Sequence, residues 1–396
     1  MILDTTKDPV VIVAGARTPM GSFQGSLSTV PAPVLGATAI RGAIDRAKVP
    51  VDLVDEVLMG CVLPAGLGQA PARQATLGAG LPVSVGATTI NKVCGSGMRA
   101  IMSAHDSLLV GSLQVVVAGG MESMSNAPYL FARQGARIGH RQMFDHMMLD
   151  GLEDAYDRGR SMGTFGEDCA EKYQFSRQVQ DEFAMESVRR AQRACSDGSF
   201  ANEVEPVKVP SRKGDLIVDI DEGPGNIDLD KIPTLKPAFK ADGTITAASS
   251  SSINDGAAAS VLMRESTARS RGFEPLARIV CHSTFAHEPK WFTTAPVTAI
   301  KRLLHEAEWN VDDVDLWEIN EAFAVVPMAA MHDLKISHEK MNVNGGACAL
   351  GHPIGASGAR IVVTLLHALQ NRGLKRGVAS LCIGGGEATA LALELF

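Results

Sequence analysis

The chain repeats itself, and that repeat limits what it can fold into more than any other feature. VDLVDEVLMG at 51 to 60 returns as VDDVDLWEIN at 311 to 320, identical in four of its first five positions. CGSGMRAIMSAHDSLLVG followed by VVVAGGMES (94 to 123) parallels GASGARIVVTLLHALQNRG followed by VASLCIGGGEA (355 to 388). Each copy is a glycine turn, an apolar helix, a β-rich strand, a run of glycines and a glutamate, Glu122 or Glu387. Upstream, PVVIVAGARTP (9 to 19) and LARIVCHSTFA (276 to 286) both read as opening strands. Two related α/β halves follow, with strand and helix signals alternating as in βαβ units and a largely parallel sheet.

Within that frame the expected divisions are residues 1–125 with 246–274 as the N-terminal half, 126–245 as an inserted loop domain, and 275–396 as the C-terminal half. The insertion differs in texture, with charged residues, irregular apolar spacing and turn signals such as EGPGN at 222 to 226. One helix is legible in it, FSRQVQDEFAMESVRRAQRAC at 175 to 195, with Val179, Phe183, Met185 and Val188 as apolar positions. In the repeats, Met98, Ile101, Met102, Leu108 and Leu109 recur near helical period, as do Ile361, Val362, Leu365, Leu366 and Leu369. The second helix is apolar over a broad face, which predicts burial between layers.

A net charge of −7 leaves no basic footprint for nucleic acid. No stretch of about 18 apolar residues occurs, so no membrane span is expected. The seven cysteines are odd in number, scattered and never spaced as C-x-x-C, which argues against a disulfide framework or a zinc site. Reduced thiols in a soluble cytoplasmic protein are the expectation. Nor is there a nucleotide loop, because VAGARTPMG lacks G-x-G-x-x-G and GGGE lacks a following Lys-Ser/Thr.

Cys94, set among glycines at the mouth of a helix, is open to three readings: a small buried hydrophobe, a metal ligand or a nucleophile. The repeat places ALGHPIGASG with His352 at the equivalent turn of the second half, so the two turns could share an interface although 258 residues separate them. Cys382 lies where the second copy's strand ends, a position at which α/β sheets offer loop atoms to ligands. Cys61, Cys169, Cys195, Cys281 and Cys348 have no such context and read as core. His140 and His146 lack ligand spacing and read as surface.

Four separated motifs, NKVCGSG (91 to 97), INEAFA (319 to 324), NVNGGACALGHPIGASGAR (342 to 360) and CIGGGEA (382 to 388), stand in order along the repeat. With these the sequence resembles the thiolase family, and within it the acetyl-CoA acetyltransferases. The resemblance covers nearly the whole chain and implies a thiolase-like duplicated, layered α/β fold with an inserted loop domain. It implies that Cys94 is the acylated nucleophile, His352 its activating base and Cys382 the second acid/base. Asn320 would hold a water that completes one oxyanion hole with His352, and the backbone N–H groups of Cys94 and Gly384 would form the other. A thiolate is favoured by a helix N-terminus and a nearby imidazole, and donors of this kind are typically worth on the order of 10²- to 10³-fold in rate.

The same resemblance implies coenzyme A contacts from Leu152, Met162, Phe239, Ala247, Ser251, Ala322 and Phe323. Ser161 and Ser249 depart from the pattern, since many relatives have His and Asn there, and DEGPGNID (221 to 228) lacks a basic residue that some carry. The implied reaction, in fatty acid metabolism, is the reversible Claisen condensation of two acetyl-CoA to acetoacetyl-CoA and CoA, without metal or cofactor other than coenzyme A as substrate and product. Alternatives are a degradative 3-ketoacyl-CoA thiolase acting on longer chains and a non-catalytic CoA- or lipid-binding protein. Relatives' dimers that pair into tetramers imply a homotetramer, with PYLFARQGARIGH (128 to 140) as the assembly arm.

Overall fold

The computed structural model describes residues 8–133, 140–212 and 214–396. Its first half runs β1 (Val10–Arg17), α1 (Ala32–Ala47), β2 (Glu56–Gly60), α2 (Pro71–Gly78), β3 (Gly86–Ile90), α3 (Ser96–Leu109) and β4 (Val115–Ser123). The insertion contributes α4 (Met162–Tyr173) and α5 (Arg177–Ser196), and the chain re-enters the core at β5 (Asn254–Arg264). The second half is β6 (Ala277–Ala286), α6 (Ala295–Ala307), β7 (Leu316–Ile319), α7 (Val325–Leu334), α8 (Ile354–Arg372), β8 (Arg376–Ile383) and β9 (Glu387–Leu395).

These nine strands belong to one ten-stranded sheet, ordered β7-β8-β9-β6-β1-β5-β4-β2-β3, with the two-residue strand Gly21–Ser22 against β5. The halves repeat one pairing pattern. In the first, β1–β5 and β5–β4 are antiparallel and β4–β2 parallel. In the second, β6–β9 and β9–β8 are antiparallel and β8–β7 parallel. Even the irregularity is duplicated: register shifts between Ile12 and Ala14 in β1, and between Ile279 and Cys281 in β6. The halves join through β1 and β6, which pair antiparallel over only two positions, Val11 with Arg278 and Ile12 with Ala277.

The expected largely parallel sheet is therefore a mixed one. Strands buried on both faces read as apolar runs in either orientation, so composition could not separate the two. Parallel pairing comes with the helical crossovers through α2, α3 and α8, whereas the three glycines 384–386 fold β9 straight back onto β8.

The broad apolar face of α8 has its expected outcome, since every residue from Ile354 to Leu369 is buried. Its partner is α3, and contact is closest where both helices begin. A Cβ at Gly358 would stand 2.5 Å from the Met98 backbone nitrogen, so only glycine fits this crossing. The N-termini of α3 and α8 are thereby brought side by side in the middle of the molecule.

In the insertion, Ser176 caps α5 by accepting the Val179 N–H, and Phe183 and Val188 are buried while Val179 faces out. EGPGN is one helical turn, Glu222–Asn226, rather than an open loop. Arg17, fully buried at the end of β1, ties the insertion down, its Nε meeting Glu203 at 2.5 Å and its Nη atoms meeting Asp221 at 2.7 and 2.8 Å. Among the described residues no helix is long and apolar enough to cross a membrane.

Candidate active site

Cys94 sits on a tight turn between β3 and α3. The residue before it, Val93, has φ +46°, a left-handed conformation that is strained for a β-branched side chain. Gly95 permits the turn to press on the second half, since a Cβ there would meet Ile383 Cδ1 at 2.4 Å. That contact brings Cys94 to the end of β8. The backbone N–H groups of Gly384 and of Cys94 itself lie near enough to its sulfur to favour the thiolate; the resemblance implied the same two groups as donors to an oxyanion. Burial pushes the Cys94 thiol up to about 11, the two N–H groups pull it down, and the Glu122 carboxylate adds to the rise. Helix dipole and imidazole were expected to favour the thiolate, but desolvation outweighs them.

Cys382 is 1% exposed, close enough for the Cys94 sulfur to affect it electrostatically. Burial holds its thiol well above the ordinary range. His352, just before α8, donates its backbone N–H to Ser252 O and Asn254 Oδ1, both at 3.2 Å. Its Nδ1 lies 2.5 Å from Ser357 Oγ, whose hydroxyl donates to Pro353 O at 2.9 Å. The serine therefore accepts from Nδ1–H, which assigns the free lone pair to Nε2. Asn320 Nδ2 is 3.5 Å from that nitrogen, and Asn320 Oδ1 is buried with no hydrogen-bond partner. Burial, and secondarily the Arg360 charge, hold the imidazole neutral down to about 3. Cys94 and His352 share no hydrogen bond; Cys94 packs against a cluster that contains Ile354, two residues beyond His352.

The residues implied for coenzyme A largely converge. Met162, at the start of α4, packs over Gly384, and the Phe239 ring meets Phe323 edge-on at 5.8 Å. Ser251 donates its N–H to Ala322 O at 3.0 Å, and Leu152 belongs to the cluster beside Cys94. Ala247, exposed on the same loop as Ser251, makes none of these contacts. Ser249 is buried, its hydroxyl taking the Thr246 N–H, and Ser161 caps α4 in backbone conformation only.

Sequence reasoning missed Glu122. Fully buried at the end of β4, it accepts N–H groups from Val62 (2.9 Å), Leu63 (3.2 Å) and Gly355 (2.9 Å), so it fastens the first turn of α8 to the other half. Burial pushes its carboxyl up to about 7 against those three donors. The repeat carried a signal, since both copies end in glutamate; Glu387 instead pairs with Lys92, two residues before Cys94. His146, expected at the surface, is 4% exposed, because its ring bridges Asp150 Oδ2 at 2.8 Å and the Ala65 N–H at 3.4 Å. The cysteines read as core are buried at 61, 169, 281 and 348 and partly so at 195, and all seven are free.

A duplicated layered α/β fold that buries a thiol and an imidazole beside the helix-mouth turn of a second cysteine has the architecture of an acyltransferase. Models of the thiolase N-terminal domain and the thiolase C-terminal domain match residues 10–266 and 273–395, and the chain belongs to the thiolase family. It is 52% identical over 391 residues to acetyl-CoA acetyltransferase 2 of Arabidopsis thaliana, covering 98% of this chain and 97% of that protein. To the mitochondrial acetyl-CoA acetyltransferase B of Xenopus laevis it is 50% identical over 391 residues, covering 98% and 92%. The crystal structure of Acat5 thiolase from Ascaris suum in complex with coenzyme A superposes with a TM-score of 0.93 at 41% identity, covering 98% of this chain and 100% of that one.

Proposed function

We propose that this enzyme is an acetyl-CoA C-acetyltransferase that joins two acetyl-CoA into acetoacetyl-CoA and CoA, reversibly, through an acetyl group on Cys94. The reading is supported above all by the placing of Cys94, on the turn before α3 and next to the end of β8, near the Gly384 N–H and the Cys382 thiol. His352 Nε2 takes the Cys94 proton as the sulfur attacks the thioester carbonyl, and the departing CoA sulfur takes the proton of Cys382. Cys382, now a thiolate, removes the α-proton of a second acetyl-CoA. The resulting enolate, its oxygen stabilised on the side of Asn320 and protonated His352, attacks acetyl-Cys94. The Cys94 sulfur leaves with the proton of His352, so every group is restored. Positioned acid/base groups of this kind are typically worth about 10²- to 10⁴-fold each.

Met162, Phe239, Phe323, Ala322, Ser251 and Leu152 suit the slender pantetheine arm, with Ala247 at its exposed end. The seven free cysteines favour a reducing compartment, and the cytoplasm is the proposed location. A homotetramer is proposed through the hairpin Tyr129–Phe131 and Met143–Asp145, which exposes Tyr129, Phe131, Met143 and Phe144. Six residues of the expected arm, 134–139, lie outside the described residues.

Thiolysis of acetoacetyl-CoA beside 3-ketoacyl-CoA substrates of increasing length, with Cys94→Ala as the inactive control, tests the reading. A kcat/KM at least about tenfold higher for acetoacetyl-CoA, roughly 1.4 kcal/mol in the transition state, is expected. Preference for longer chains would move the enzyme to the degradative branch, and inactivity on all substrates would leave only a binding role.

A further inference from the structure

His105 and Asp106, near the end of α3, face His282 of β6. They lie about 15 Å along the helix from its Cys94 end, outside the acyl-transfer machinery. Asp106 Oδ1 is 2.8 Å from His282 Nε2 and 3.4 Å from His105 Nδ1. The two rings meet edge to face, centroids 5.0 Å apart and planes at 82°, so that both aim a nitrogen at one oxygen. The three donor atoms lie within 4.8 Å of one another. One imidazole is 9% exposed and the other 17%, while the carboxylate is half open to solvent.

We propose that His105, Asp106 and His282 bind a divalent first-row transition cation, zinc foremost, and so staple the two halves together. Two imidazole nitrogens and one carboxylate oxygen select such a borderline cation over magnesium or calcium, which take mainly oxygen ligands. Tetrahedral zinc with bonds of about 2.0–2.2 Å spaces its donors by about 3.3 Å. The His105–Asp106 pair is already so spaced, and the His282–Asp106 pair has to open by roughly half an ångström. To bind, each ring gives up its hydrogen bond to Asp106 and carries its proton on the other nitrogen.

The surroundings suit a cation. Glu306 of α6 reaches His105 electrostatically and adds a second negative charge. His105 and Glu306 line one cavity of about 370 Å³ that gives water access to the His105 side of the cluster; Arg278 also lines it and shares the Glu394 carboxylate with Arg376.

The full-length enzyme, stripped with a chelator, is titrated with zinc against a chromophoric competitor and with cobalt by absorption spectroscopy. One equivalent per chain is expected, with a cobalt spectrum free of thiolate charge transfer. Asp106→Asn and His282→Ala should each weaken binding at least tenfold while leaving thiolysis unchanged, and Cys94→Ala should bind as the wild type does. Binding that is absent from the wild type, equal in all variants, or lost in Cys94→Ala alone would overturn the proposal.

Discussion

Cys94 and His352 meet the substrate as a neutral pair, a thiol held at about 11 and an imidazole held at about 3. Inactivation by iodoacetamide should therefore accelerate about tenfold per pH unit between about pH 6 and 10, as the thiolate fraction grows. A rate that levels off near pH 7 would instead reveal a resting thiolate–imidazolium pair. Glu122 makes a second prediction. Its carboxyl rises from 4.5 to about 7 on folding, so the folded protein binds the extra proton between those values. The stability this confers is complete below the lower value and lost as pH rises through the upper one. Thermal melts at about pH 5 and 8 should show wild type losing ground to Glu122→Gln at the higher pH; a constant difference would mean a carboxylate ionised throughout. The proposed catalytic trio was legible because each member stands in a glycine-marked turn of the repeat. Glu122 and the His105–Asp106–His282 cluster were not, since their partners are set by tertiary contact across as many as 233 residues.

Among the elements, the crossing of α3 and α8 has the least tolerance. An alanine at 358 would force its Cβ against Met98, 2.5 Å from backbone nitrogen and 2.8 Å from Cβ. Gly358→Ala should cost about 1–3 kcal/mol in denaturant unfolding, and thiolysis should fall because both catalytic turns ride on these helices. Gly225→Ala, where nothing lies within 4 Å, is the matched control and should unfold like wild type or slightly later. A melt of Gly358→Ala that matched the control would mean the helices can part without strain. Both helices were readable from apolar period alone. Strand direction was not, because β4 and β5 are buried along nearly their whole length, and a run buried on both faces carries no alternation to orient it.

At the scale of the whole molecule, the exposed hairpin is the surface left to account for. If it joins dimers, Tyr129→Ser combined with Phe131→Ser should halve the mass measured by light scattering while each chain keeps its melting temperature. An unchanged mass would place assembly elsewhere. The duplication was the most legible feature of the chain, and the structure extends it to pairing order and to a matched bulge in β1 and β6. The seam between these two strands has a consequence of its own. Val11 with Arg278 and Ile12 with Ala277 is the antiparallel contact two identical strands make about a two-fold axis, so the chain resembles a homodimer made continuous. A true homodimer must carry the same residue at both copies of every position. Fusion lifts that constraint: one helix mouth keeps a cysteine, the other a histidine, and in the proposed reaction each needs only to suit its own half.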